Sequence, residues 1–198
     1  MKLPVIVVGA STGGTDAIKV FLGGFPANAP PILIVQHMPH AFTRTFAMRL
    51  DGQCRISVCE AQDGMPLAAG TAYIAPGNAH LSLKQAGGVL QTELLFTPPV
   101  DRHRPSVSVL FDAAARLLQQ NAIGVMLTGM GQDGAAAMRR MHDAGAFCLA
   151  QDEGSSVVFG MPRAAIALGA VDEVVSLDHM AQRVQARLAA LASGFLKD

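Results

Sequence analysis

The sequence predicts an α/β protein: a doubly wound, mostly parallel sheet with helices on both faces and a β-hairpin elaboration in the middle of the chain. Short runs apolar on both faces, such as Val5-Ile6-Val7-Val8 and Pro31-Ile32-Leu33-Ile34-Val35, alternate with helix-period segments. Strands of that kind belong in a parallel sheet covered on both sides. The region 55–97 breaks the alternation into short strands separated by turns. With 198 residues, 51% hydrophobic and 15% charged, the chain can bury a core and is too apolar for disorder.

The first apolar run ends at Gly9 and leads into a helix over 14–23; the second leads into a helix over 40–50. In the middle, Ile56-Ser57-Val58, Thr71-Ala72-Tyr73-Ile74-Ala75, His80-Leu81-Ser82-Leu83-Lys84 and Val89-Leu90-Gln91-Thr92-Glu93-Leu94 read as strands, the last two linked through Ala86-Gly87-Gly88. Pro105 and a capping Ser106 open a helix over 106–120, with Val107, Leu110, Phe111, Ala114, Leu117 and Leu118 on one stripe. Strands over 122–127, 146–150 and 171–175, with a helix over 132–144 between the first two, continue the series. A last helix over 178–192 sets Met180, Val184, Leu188 and Leu191 on one face. No repeat or linker interrupts the chain, so 1–198 reads as a single domain.

Charge and cysteine usage narrow the function classes. Fifteen basic residues balance fifteen acidic ones, which disfavours nucleic acid as a partner. So few charges hint that part of the surface meets another protein. Cys54, Cys59 and Cys148 cannot form a fully paired disulfide framework and read as thiols in a reducing compartment. Neither a signal-peptide pattern nor an apolar run of membrane-spanning length is present, so no membrane insertion and a cytoplasmic location are expected.

The sharpest local feature is Val8-Gly9-Ala10-Ser11-Thr12-Gly13-Gly14, which matches G-x-S-x-G between a strand and a helix. A sharp turn there needs glycines and presents a hydroxyl above the sheet, beside helix N-terminal amides able to stabilise an oxyanion. A dinucleotide site is disfavoured: G-x-G-x-x-G is absent, and Gln36-His37 stands where a ribose-binding acid belongs. No cofactor is expected. A metal is not expected either, since His37-Met38-Pro39-His40 cannot set two ligands on one helical face.

If the first two strands are adjacent and parallel, their carboxyl ends lie about 5 Å apart, which brings His37 toward Ser11. A neutral imidazole there could take the serine proton. His40 reads as a cap or surface residue, and His80, His103, His142 and His179 have no comparable neighbour in the predicted elements. The pair needs a carboxylate to orient the ring. Asp133, in the loop after strand 122–127, and Asp152, after strand 146–150, both qualify. The glycines around Asp133 favour it and leave Asp152 a loop-stabilising role, but spacing does not decide between them.

Together with Ala75-Pro76-Gly77, His103-Arg104-Pro105-Ser106-Val107, Leu127-Thr128-Gly129-Met130-Gly131-Gln132-Asp133-Gly134 and Phe159-Gly160-Met161-Pro162, the Ser11 and His37 blocks resemble the catalytic domain of chemotaxis methylesterases of the CheB type. The blocks run in family order over nearly the whole chain. The resemblance implies a Ser11, His37, Asp133 triad, with backbone amides at Thr12 and Met130 forming the oxyanion hole. It implies hydrolysis of glutamate γ-methyl esters on the cytoplasmic helices of chemoreceptors through an acyl-enzyme, with methanol released, and deamidation of receptor glutamines by the same chemistry. Two departures stand out. Relatives of this type carry an N-terminal receiver domain, expected here to be removed or a separate protein because the first strand starts by about residue 4. Ser108 stands where an acid is common, which predicts altered local contacts on an intact catalytic set. The competing expectations are a serine hydrolase of another ester or amide, and a non-catalytic receptor-docking module.

Overall fold

A computed structural model describes residues 4–194. Its centre is a seven-stranded sheet in the order β3-β4-β2-β1-β7-β8-β9. The strands are β1 Val5–Ala10, β2 Ile32–Gln36, β3 Ser57–Glu60, β4 Thr71–Ile74, β7 Ala122–Met126, β8 Phe147–Gln151 and β9 Glu173–Val175. All neighbouring strands pair in parallel. The hairpin is separate: β5 His80–Ala86 and β6 Val89–Leu95 pair antiparallel. Their two-residue link, Gly87-Gly88, has φ of 57° and 81°, the left-handed pair that a tight hairpin turn requires.

Two cores lie on either side of the sheet. Ile6, Val8, Ile32 and Ile34 pack with α1 Gly14–Gly23, α2 His40–Asp51 and α6 Leu177–Gly194. Val5, Val7, Leu33 and Val35 face the other way, onto α3 Val107–Leu117, α4 Ala135–Asp143, α5 Met161–Ala167 and the hairpin residues Leu81 and Leu83. Each inner strand buries both of its faces, which is why β1, β2 and β7 lack polar alternation.

The middle of the chain differs from the sequence reading in one respect. The segments near 56–58 and 71–75 do not belong to the hairpin elaboration; they form β3 and β4 and extend the main sheet. Tyr73 and Ile74 are buried there, and their shortness hid a parallel edge. The periodicity also misses α5, whose seven residues are too few for a stripe, although Pro162 occupies its first turn. The fourth helix starts later than 132, because Gly134 at φ +87° ends a turn through Asp133 first.

The chain runs from β1 outward to β2, then returns to β7 on the opposite side of β1. The loop after β1 climbs to α1 on one face, and the loop after β7 climbs to α4 on the other. They separate above the carboxyl ends of β1 and β7. A doubly wound sheet opens its crevice at that switch point.

Candidate active site

Ser11 leaves β1 at this crevice, and the strand register sets its neighbours. Ala10 pairs with Gln36, and the His37 amide donates to the Ala10 carbonyl at 3.1 Å. Ser11 and His37 are therefore the first residues beyond two adjacent parallel strand ends. The buried Gln36 side chain ties them further, its Nε2 donating to the Ser11 carbonyl at 2.9 Å and the His37 carbonyl at 3.1 Å.

Asp133 reaches the same point from the loop between β7 and α4. Its Oδ2 accepts from His37 Nε2 at 2.7 Å, with the carboxylate almost fully buried and the ring 9% exposed. The same oxygen accepts from Val107 N at 2.7 Å, while Oδ1 accepts from Ser106 Oγ at 2.7 Å and Ser108 N at 3.1 Å. Asp133 thus caps the amino end of α3, where free N–H groups and the helix dipole favour an anion. Burial alone would raise its pKa, but the hydrogen bonds from His37, Ser106, Val107 and Ser108 outweigh burial and hold it at about 2.

That low value fixes the histidine tautomer. An ionised carboxylate only accepts, so the shared proton sits on Nε2 and the basic lone pair of neutral His37 is on Nδ1. Nδ1 is buried and has no hydrogen-bond partner among the described residues. The ring is oriented opposite to the chymotrypsin arrangement, in which the acid holds Nδ1 and the serine faces Nε2.

Three loops interlock around Ser11. The Ser11 amide donates to the Thr128 carbonyl at 3.0 Å, and Thr128 Oγ1 donates to the Thr12 carbonyl at 3.0 Å. Gly129 N donates to the Val158 carbonyl, and the Gly129 carbonyl accepts from Gly160 N and Met161 N. A Cβ on Gly129 would lie 2.4 Å from Met161 Sδ and 2.8 Å from Ser11 Cβ, so only glycine fits beside the serine. The Phe159-Gly160-Met161-Pro162 block is thus the buttress of the 128–131 loop. Thr12 and Met130 are exposed at the rim, and their amides donate to no acceptor among the described residues.

Asp152 does not approach the imidazole; its Oδ1 accepts from Ser155 N at 3.1 Å and from Ser155 Oγ, closing a local turn. His80 and His103 do have partners at the site, contrary to the sequence reading. His80 Nδ1 accepts from Ser106 N at 3.1 Å, and its Nε2 donates to the Pro98 carbonyl at 2.9 Å, which seats the start of α3. His103 stacks on His37, ring centroids 3.7 Å apart and planes 6° from parallel. Both depend on the 96–106 connection folding back over the crevice, a tertiary fact that no local pattern announces. Among the described residues, no cluster of His, Cys, Asp or Glu could hold a metal ion. Cys148 is buried in the sheet, where desolvation and the nearby Asp172 carboxylate push its thiol up to about 12.

The profile of the CheB methylesterase family matches residues 6–184. The chain belongs to the CheB methylesterase family. It is 60% identical over 184 residues to a protein-glutamate methylesterase/protein-glutamine glutaminase of Nitrosomonas europaea, covering 93% of this chain and 51% of the relative. A protein of the same description from Paraburkholderia xenovorans is 57% identical over 187 residues, covering 94% and 52%. The chain spans about half the length of these curated relatives. Among solved structures, the CheB methylesterase catalytic domain of Thermotoga maritima matches with a TM-score of 0.90 and 37% identity, covering 92% of this chain and 97% of that one. The α/β architecture with its separate hairpin is therefore that of a CheB catalytic domain.

Proposed function

We propose that residues 1–198 act as a single methylesterase catalytic domain that hydrolyses glutamate γ-methyl esters on the cytoplasmic helices of chemoreceptors. The observation that carries this is the Asp133-bound His37 with its free Nδ1, set beside Ser11 in a CheB-family chain. Ser11 Oγ attacks the ester carbonyl while His37 Nδ1 takes its proton. The tetrahedral oxyanion is held by the amides of Thr12 and Met130. Collapse breaks the carbonyl–methoxy bond, and protonated His37 returns the proton to release methanol. Water then attacks the acyl-Ser11 ester with His37 again as base, freeing the glutamate carboxylate and the serine.

The same acyl-enzyme forms from a glutamine side chain with ammonia as leaving group, and the relatives' description as glutaminases supports that second activity. The partner is a methylated receptor helix, and control by a receiver domain, separate or from the same longer protein, fits relatives twice this length. No helix among the described residues is long and apolar enough to cross a membrane, and the receptor's location makes this a cytoplasmic reaction.

The deciding experiment measures methanol released from methylated receptor membranes. Wild type should release it and Ser11→Ala should not. Equal release by both removes Ser11 as nucleophile; release by neither, with small esters still hydrolysed, points to another ester or amide substrate.

A further inference from the structure

The Asp133 hydrogen bond fixes one atom of the His37 ring but leaves a freedom that catalysis cannot tolerate. A planar ring tethered at Cγ and hydrogen-bonded at Nε2 can still swivel about the line joining those two atoms, which carries Nδ1 away from the serine. The described residues supply one aromatic surface against the face of that ring: His103, 3.7 Å away and 6° from parallel. We infer that His103 is the positioning residue that fixes the plane of the His37 imidazole and so aims Nδ1 at Ser11. The inference rests on the triad reading above.

How His103 is held supports this. It ends a tight turn in which Val100 N donates to the His103 carbonyl at 3.0 Å and His103 N to the Val100 carbonyl at 2.9 Å. The two residues between, Asp101 and Arg102, have φ of 49° and 67°, a left-handed conformation that side chains disfavour. Such a turn persists where its surroundings hold it. Here Asp101 Oδ2 accepts from Ser108 Oγ at 2.6 Å, and that hydroxyl accepts from Gly134 N at 2.9 Å. Ser108 therefore fastens the turn to the start of α3 and to the residue after Asp133. His103 and Asp133 share one rigid frame and grip His37 on its face and on its edge. Ser108, the departure from the family pattern noted in the sequence, is the middle link of that frame, with the acid supplied by Asp101.

The charge environment is consistent with a passive ring. Burial lowers the pKa of His103 and the adjacent His37 lowers it further, against the opposing pull of Asp133 and Asp101. Arg102 and Arg104 line the same cleft, which also disfavours a second cation there. These effects favour the neutral form of His103 beside the ring that accepts and returns the proton.

The test compares wild type, His103→Ala and His103→Phe by steady-state ester hydrolysis across pH and by NMR of the His37 ring nitrogens in the free protein. Loss of stacking should lower kcat in His103→Ala by about ten- to a hundredfold, the scale of a misplaced reacting group, with little change in KM. The pH–rate profile should move, and the His37 ring resonances should broaden or shift as the ring samples several orientations with its proton still on Nε2. His103→Phe keeps a flat ring without a titrating group, so it should restore kcat to within a fewfold and a single sharp set of His37 ring resonances. Wild-type kcat and resonances in His103→Ala overturn the inference. So does a His103→Phe protein that melts like wild type yet is as slow as His103→Ala. Should wild type hydrolyse no ester, the triad reading fails on its own, while the His37 resonances still report whether His103 orders the ring.

Discussion

Asp133 would resist ionisation if burial acted alone, and it is ionised because every neighbour donates to it. Those donors come from His37 and from the first turn of α3, so the carboxylate orients the ring and caps the helix with the same two oxygens. Asp133→Asn turns an NH2 donor toward some of these donors. An amide oxygen in the Oδ1 position can serve Ser106 and Ser108, but the amide nitrogen then faces Val107 N and His37 Nε2 and favours the tautomer with the proton on Nδ1. Turnover should fall by about 10⁴, as expected when the acid of a triad is neutralised and the tautomer inverts, with the fold retained by circular dichroism. A kcat within tenfold of wild type would show that Asp133 serves the helix and not the imidazole. At this scale the sequence was legible where chemistry follows strand ends: Ser11 and His37 could be paired because each immediately follows a recognisable apolar run. Asp133 and Asp152 could not be separated by the same logic, since both lie beyond strand ends. His103 was invisible because it reaches the site from a loop on the other side of the hairpin.

The elements around the crevice act through backbone contacts, and that is where substitution of a small residue should be felt. The 128–131 loop is squeezed between Ser11 and Met161, and Gly129 is the point of closest approach. Gly129→Ala should push the loop outward, cost about 1–3 kcal/mol of stability as overpacking does, and lower kcat by displacing both Ser11 and the Met130 amide. Paired urea titrations and esterase assays check this; wild-type kcat in a folded Gly129→Ala protein would mean the loop moves without consequence. Ser108→Ala removes the link between Asp101 and Gly134 and leaves the buried Gly134 N–H without an acceptor. That should cost about 1–3 kcal/mol, measurable as a lower urea midpoint at unchanged slope. Elements themselves were legible in proportion to length. Helix α3 showed itself through a capping serine and a long stripe. Strands β3 and β4, of four residues each, carry too few side chains to distinguish a parallel edge from a hairpin arm. Helix α5, shorter than two full stripes, was missed for the same reason.

Across the whole molecule, one sheet separates two cores, and the site sits where the loops on its two faces diverge. Asp133 bonds to α3 and to the loop after β2, so its ionisation is coupled to the packing of both layers and to global unfolding. The sign follows from its pKa, held at about 2 in the folded protein against about 3.9 for an unfolded aspartate. A carboxyl depressed by folding contributes stability that is fully present above the unfolded value and is lost as pH falls through the folded one. The contribution is about 2 kcal/mol, present at pH 5 and above and largely gone by pH 2. The surface carboxylates Asp63 and Asp143 and the half-buried Glu173, each lowered chiefly by a hydrogen bond from a neighbouring base, act in the same direction. Solvent screening keeps their part small. Urea unfolding of wild type and Asp133→Asn, repeated from pH 7 down to pH 2, isolates the buried group. Wild type should lose about 2 kcal/mol more than the variant over that range, with the loss confined below about pH 4. Parallel pH dependences for the two proteins would place the acid sensitivity in the surface carboxylates and leave Asp133 no part in holding the two layers together.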